Sequence, residues 1–240
     1  MATAKCNDCL KSFVFTKEPD SRGNISLSVK NKDDILLAVR NAYKDMSVRT
    51  IKGLGQINKK SKNNLNADVD GLLKSLANKY HDLFNNNILF LTGKSNTDFE
   101  KWHNDVCILF KNNYNTILKN NGVSYNGSIQ TIKYGKAQKI INMTFKYIYC
   151  FDDVTNDMFV YCHMPIDSNI LSWYAKEYNG NNKIQNNSWS NLDEKEYMNL
   201  QDQISGMLIN ASVTNKNGNT IALPKNRLEA EMIIWPIYRH

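Results

Sequence analysis

A chain of 240 residues with 42% hydrophobic residues, 22% charged residues and only 4 prolines can bury a substantial core, and its composition excludes a disordered or fibrous protein. Its formal charge of +7 favours an anionic partner such as nucleic acid, through phosphate neutralisation and counterion release. Five cysteines cannot all pair within the chain, the start MATAKCNDC lacks a secretory apolar run, and no apolar run approaches the roughly 20 residues of a membrane span, so the expectation is a monomeric cytoplasmic protein with no membrane partner.

Cys6 and Cys9 form a lone C-x-x-C without the second pair that a structural zinc site requires. Phe13-Val14-Phe15 and Ile25-Ser26-Leu27-Ser28-Val29 flank the turn-rich Asp20-Ser21-Arg22-Gly23-Asn24 and predict a small β-hairpin. Behind Asp33 and Asp34, which suit a helix N-terminus, Ile35, Leu36, Val39, Ala42, Tyr43 and Met46 recur at helical spacing. IKGLGQINKKSKNNLN follows. Its lysines, asparagines and glycines predict a basic loop, with contact to phosphates as the sharper reading.

From Asp68 to Phe84 a second amphipathic helix carries Val69, Leu72, Leu73, Leu76, Ala77, Tyr80, Leu83 and Phe84. A third, capped by Asn96 or Thr97 with Glu100 as capping-box partner, turns Phe99, Trp102, Val106, Leu109, Phe110 and Tyr114 inward. His103 and Cys107 on it have ligand spacing, but no acidic or histidine partner lies nearby in sequence, and packing is the favoured role. Asn120-Asn121-Gly122 ends that helix. A short helix from Ser128 to Lys133, turning at Gly135 into the next, would lay backbone amides where they attract an anion.

The central helix, from about Lys136 to Phe151, has apolar residues around most of its circumference, as a helix inside a domain does. Lys139, Asn142 and Lys146 interrupt it in one line at spacings of three and four. A buried ammonium needs water, an anion or a carboxylate, and both burial and the positive helix end favour the neutral amine at Lys139, the state that Schiff-base chemistry uses. The alternative is that Lys139 and Lys146 snorkel from the core edge to solvent. After an acidic connector from Asp152 to Asp157, His163-Met164-Pro165 forms a constrained entry to Asp167, which can cap the helix beginning at Ser168. Leu192 to Ile209 predicts another helix, NKNGNT at 215–220 a turn, and Leu228, Met232, Ile233 and Trp235 a last segment packed on the core.

Gly135-Lys136-Ala137-Gln138-Lys139-Ile140-Ile141, followed by Pro165-Ile166-Asp167-Ser168-Asn169-Ile170-Leu171, resembles the helix-hairpin-helix DNA glycosylase superfamily. That superfamily carries a reactive lysine at the start of a core helix after a hairpin, and an aspartate in a Pro-apolar-Asp element opening a later helix. The run QKIINMTFKYIY looks most like its 8-oxoguanine branch, in the archaeal form; the likeness spans about 40 residues, from Tyr134 to Trp173. The resemblance implies a mostly α, glycosylase-like fold: one globular domain over 1–240, with helical subdomains of about 1–120 and 121–240 and a cleft between them. It implies Lys139 and Asp167 as the catalytic pair, with Lys136 competing as nucleophile, and Gly135, Lys136, Asn142, Lys146, His163 and Trp235 as substrate contacts. Glu229 and Glu231 are further pocket candidates. The expected partner is double-stranded DNA containing a damaged base, flipped out at a cost of about a few kcal/mol. No cofactor and no metal are expected, since no G-x-x-x-x-G-K, H-E-x-x-H or paired C-x-x-C occurs. A non-catalytic helical DNA-binding module, and a protein-interaction or effector protein with snorkelling lysines, are the competing expectations.

Overall fold

Asn31 opens the first described helix, α1 (Lys32–Asp45), by accepting the Asp33 N–H at 2.9 Å, and two aspartates in the first turn complement its positive end. The computed structural model describes residues 25–86, 96–177 and 188–239. Helix α2 (Lys59–Asn86) starts at Lys59, well before Asp68, because Asn58 Oδ1 accepts the Ser61 N–H at 2.9 Å and Leu65 reaches the core. Half of the expected basic loop is therefore helical. Helix α3 (Asn96–Asn120) ends at Gly122, whose φ of +67° lets Val123 N–H return to the Leu118 carbonyl at 2.9 Å.

The short helix expected over Ser128 to Lys133 is replaced by a hairpin, β1 (Ser124–Tyr125) against β2 (Ser128–Ile129). The reason lies in Asn126 and Gly127: both take positive φ, 50° and 78°, as the two-residue loop of a tight antiparallel turn requires. Beyond it, Asn115 on α3 holds Ile132 by both backbone groups, at 2.7 and 3.1 Å, which keeps the chain out of helical geometry up to α4 (Tyr134–Ile148).

Helix α4 is the buried centre. It packs on α1 and α3, and Ile140, Ile141, Phe145 and Ile148 are fully buried, each contributing about 2 kcal/mol of apolar transfer energy. Tyr80 of α2 reaches it by donating to the Ile141 carbonyl at 2.6 Å and by meeting the Phe145 ring edge-on at 4.9 Å. After α4 come α5 (Ser168–Glu177), α6 (Glu194–Met207) with an Asp193/Glu196 capping box, the pair β3 (Ser212–Thr214) and β4 (Thr220–Ala222), and α7 (Arg227–Tyr238), which lies against α5. The described residues are thus mostly helical, with two small antiparallel strand pairs.

Residues 25–29 bury Ile25, Leu27 and Val29 at alternate positions and draw hydrogen bonds from the acidic connector: Asp152 accepts Leu27 N–H and Asp153 accepts Val29 N–H, each at 3.0 Å. The other strand of the expected N-terminal hairpin, its turn and the Cys6/Cys9 motif lie outside the described residues. Among the described residues no helix is long and apolar enough to cross a membrane.

Candidate active site

Two of the three residues in the polar stripe of α4 find carboxylates. Lys139 Nζ lies 2.8 Å from Asp167 Oδ2, with side-chain exposures of only 5% and 14%. Asp167 stands at the N-cap of α5, where Oδ1 accepts the N–H groups of Asn169 and Ile170 at 3.0 Å each; Oδ2 also accepts the Trp235 indole N–H at 3.0 Å. Burial opposes ionisation of this carboxyl. The Lys139 ammonium, followed by the Ile170 and Trp235 donors, more than offsets it and holds the group below its ordinary value.

The approach of α5 to α4 is set by two buried glutamines. Gln138 binds both backbone groups of Ile166, donating to the carbonyl at 3.0 Å and accepting the N–H at 3.3 Å. Gln201 of α6 binds both backbone groups of Met164, at 2.7 and 3.1 Å. Together they fasten the segment around Pro165, whose preceding residue is already restricted to extended geometry. Sequence reasoning missed both. The usable signal was a glutamine directly before Lys139 on a helix with no solvent face.

Further along α4, Lys146 Nζ sits 2.6 Å from Glu231 Oε2 of α7 and 5.6 Å from the centroid of the Trp235 ring. Glu231 is fully buried, and its Oε1 has no hydrogen-bond partner among the described residues. The Arg239 guanidinium lies 5.1 Å from the same Trp235 ring, and Glu229 accepts from Tyr149 Oη at 2.9 Å. Trp235 is half-buried, touched by Asp167 at its N–H and by cations over its ring. The structure therefore brings Lys139, Asp167, Lys146 and Trp235 together.

The other predicted site residues go elsewhere. Lys136 donates to the Met46 and Ser47 carbonyls at 3.1 Å each and to Thr50 Oγ1 at 2.9 Å, closing the C-terminal end of α1, with the Trp189 ring at 5.3 Å. Burial pushes its ammonium down to about 8, which still leaves it protonated near pH 7. Gly135 gives its N–H to the Leu192 carbonyl at 2.9 Å, and a Cβ there would stand 2.0 Å from the Trp189 carbonyl oxygen. Its glycine answers the close passage of that turn, not a phosphate, which corrects the hairpin role expected for it.

Asn142 and His163, expected to touch substrate, are fully buried in a polar network instead. His103 Nε2 meets Asn142 Oδ1 at 2.9 Å; Asn142 Nδ2 donates to Gln138 Oε1 at 2.9 Å and to Tyr197 Oη at 2.8 Å; Tyr197 Oη meets His163 Nδ1 at 2.9 Å. Burial pushes His103 down to about 4 and His163 well below its ordinary value, so both rings are neutral near pH 7. His163 Nε2 has no partner among the described residues. In this arrangement Asn142 aligns the centre of the domain, one turn away from the lysines it accompanies in the sequence.

Chemically, the lysine–aspartate pair can pass a proton across one 2.8 Å hydrogen bond in a place nearly closed to water. No family model, no curated protein and no solved structure matches this chain.

Proposed function

We propose that this protein is a DNA glycosylase with lyase activity, excising 8-oxoguanine from duplex DNA through a Schiff base on Lys139. One observation carries the reading: an ammonium 5% exposed, 2.8 Å from a carboxylate that is itself oriented by three N–H donors, beside a half-buried tryptophan. In this reaction Lys139 first gives a proton to Asp167 Oδ2. The freed amine attacks C1′ of the flipped nucleotide, the glycosidic C–N bond breaks, and the base leaves with the electron pair and takes up the proton held on Asp167, which returns to the carboxylate. Transfer of a proton from the attached ammonium to O4′ opens the sugar and yields the iminium, whose positive charge the Asp167 carboxylate stabilises. Loss of a C2′ proton then expels the 3′ phosphate by β-elimination. The Trp235 ring gives the displaced base an aromatic face.

Borohydride reduction during incubation with duplex containing 8-oxoguanine should trap a covalent protein–DNA complex. Lys139→Gln should abolish trapping, and Asp167→Asn should slow it by about 100-fold or more. Lys136→Gln should still trap. Absence of trapping by the wild-type protein, or trapping by Lys139→Gln, would sink the proposal.

A second reading has its own support: every hydrogen-bonding position on Asp167 is also explained by fastening α4, α5 and α7 together. On that reading the chain is a non-catalytic helical DNA-binding module. It would bind duplex in a salt-dependent manner and never be trapped.

A further inference from the structure

Two long stretches of the chain lack acidic residues altogether. Residues 46–67 and 106–151 hold eleven of the chain's 30 Lys and Arg and none of its 23 Asp and Glu. The fold sets the two stretches side by side. Gly53 approaches Ser124 so closely that a Cβ would stand 2.1 Å from its carbonyl oxygen, Lys52 Nζ lies 5.1 Å from the Tyr125 ring centroid, and Lys136 ties the end of α1 to the start of α4. Between them runs a groove of about 470 Å³, lined by Gln56, Ile57, Asn58, Ser61, Asn121 and Ser124.

The cations around this junction are available to a partner. Arg49, Lys52, Lys59, Lys60, Lys62, Lys119 and Lys133 are exposed, and among the described residues none of them forms a salt bridge. Lys59, Lys60 and Lys62 also occupy the first turn of α2, where the helix dipole favours carboxylates and the chain supplies none. A polyanion laid over this face would satisfy both the segregated charge and the unfavourable helix end. The hairpin amides expected to meet phosphate are meanwhile engaged, since Gly135 N–H is bonded to Leu192.

We infer that the face built from the 49–62 segment and the β1–β2 hairpin is the surface that grips the DNA backbone, through phosphate contacts that carry no sequence preference. The identity of the polyanion rests on the DNA-directed reading above; the surface itself rests on charge segregation. Its lysines steer and hold duplex, while Lys139 lies one turn further along α4, beyond Lys136.

Fluorescence anisotropy with a lesion-free duplex across a salt series tests this. For the triple variant Lys59→Gln, Lys60→Gln, Lys62→Gln, the slope of log affinity against log salt should shrink in magnitude by about 2 to 3, with an affinity loss of about tenfold or more at moderate salt. A control variant of two exposed lysines elsewhere, Lys195→Gln with Lys216→Gln, should keep the wild-type slope. A triple variant with the wild-type slope and a native circular dichroism spectrum overturns the inference, as does a wild-type protein that ignores duplex yet binds polyglutamate. Borohydride trapping separates the two proposals. A wild-type protein that binds with the predicted slope loss but never traps keeps this surface and removes the glycosylase; trapping with an unchanged slope does the reverse.

Discussion

Asp167→Asn separates the charge of the central pair from its geometry. Asparagine is nearly isosteric and can still cap Asn169 and Ile170 with its one oxygen, but its amide nitrogen then replaces Oδ2 and turns N–H donors toward the Lys139 ammonium and the Trp235 indole N–H. What it removes is the negative charge beside an ammonium that is 5% exposed. Stranding one member of a buried pair costs about 3–5 kcal/mol, and the amide donors facing Lys139 and Trp235 place this variant near the upper figure, about 5 kcal/mol. Asp167→Ala strands the same ammonium and loses about 1 kcal/mol with the cap, but it spares Lys139 the facing N–H donors, so its cost should be about the same. Lys139→Met should cost less, about 1–2 kcal/mol, because the carboxylate keeps its three N–H donors; the double variant with Asp167→Asn should then be milder than the sum of the two. Urea unfolding followed by circular dichroism at pH 7 measures all four. The acid limb gives an independent check. The Asp167 carboxyl is held below its ordinary value when folded, so its contribution is complete above about pH 4 and is lost as the pH falls through the lower folded value. Asp167→Asn should flatten that part of the pH–stability curve. If it unfolds within about 0.5 kcal/mol of the wild type with an unchanged acid limb, the pair does not hold these helices and the burial argument fails.

Gly135→Ala should destabilise by about 2–3 kcal/mol, since the new methyl would meet the Trp189 backbone rather than a movable side chain, whereas Gly122→Ala, with open space at positive φ, should cost about 1 kcal/mol; equal melting temperatures would refute the distinction. Lys136→Met should lose about 1–3 kcal/mol by freeing the carbonyls at the end of α1, yet leave any borohydride-trapped yield intact, because its ammonium does not reach Asp167. The buried histidines give a second pH dependence. His103 is held near 4 when folded against an ordinary value of 6.5, so stability should fall as the pH drops from about 6.5 to 4, by about 3 kcal/mol from this residue alone; His103→Gln should flatten that limb, and parallel curves would count against a neutral buried imidazole.

The helices that position the site were legible because their periodicities are long and unambiguous. Val69, Leu73, Leu76 and Tyr80 on α2, or Val106, Phe110 and Tyr114 on α3, return every three or four residues and are buried. The Asp167 cap was legible for the same local reason, since its carboxylate binds the N–H groups two and three residues further on. The misjudged segment, 128–133, failed on turn chemistry. Asn126-Gly127 is the strongest short hairpin signal, and it overrides weak helical propensity when only two residues separate the strands.

The polar stripe of α4 shows why the site itself was only partly readable. Helical spacing put Lys139, Asn142 and Lys146 on one line, which is a statement about direction alone. Each residue's role was decided by what the rest of the chain brought to that line: the α5 cap at Asp167, the α3 and α6 side chains His103 and Tyr197, and Glu231 from α7. None of these partners lies within 25 residues of its lysine or asparagine, and a pattern of period 3.6 carries no information at that separation. What the sequence could state was the demand. Cations on a helix with no solvent face require buried carboxylates, and α5 and α7 each deliver one. The same demand distinguishes Lys136, one turn earlier, which is satisfied by two carbonyl oxygens and the Thr50 hydroxyl and, among the described residues, has no carboxylate to take its proton. Of the lysines on α4, Lys139 alone has beside it a carboxylate that also caps a helix. That difference in partner is the physical ground on which Lys139, and not Lys136, is proposed as the nucleophile.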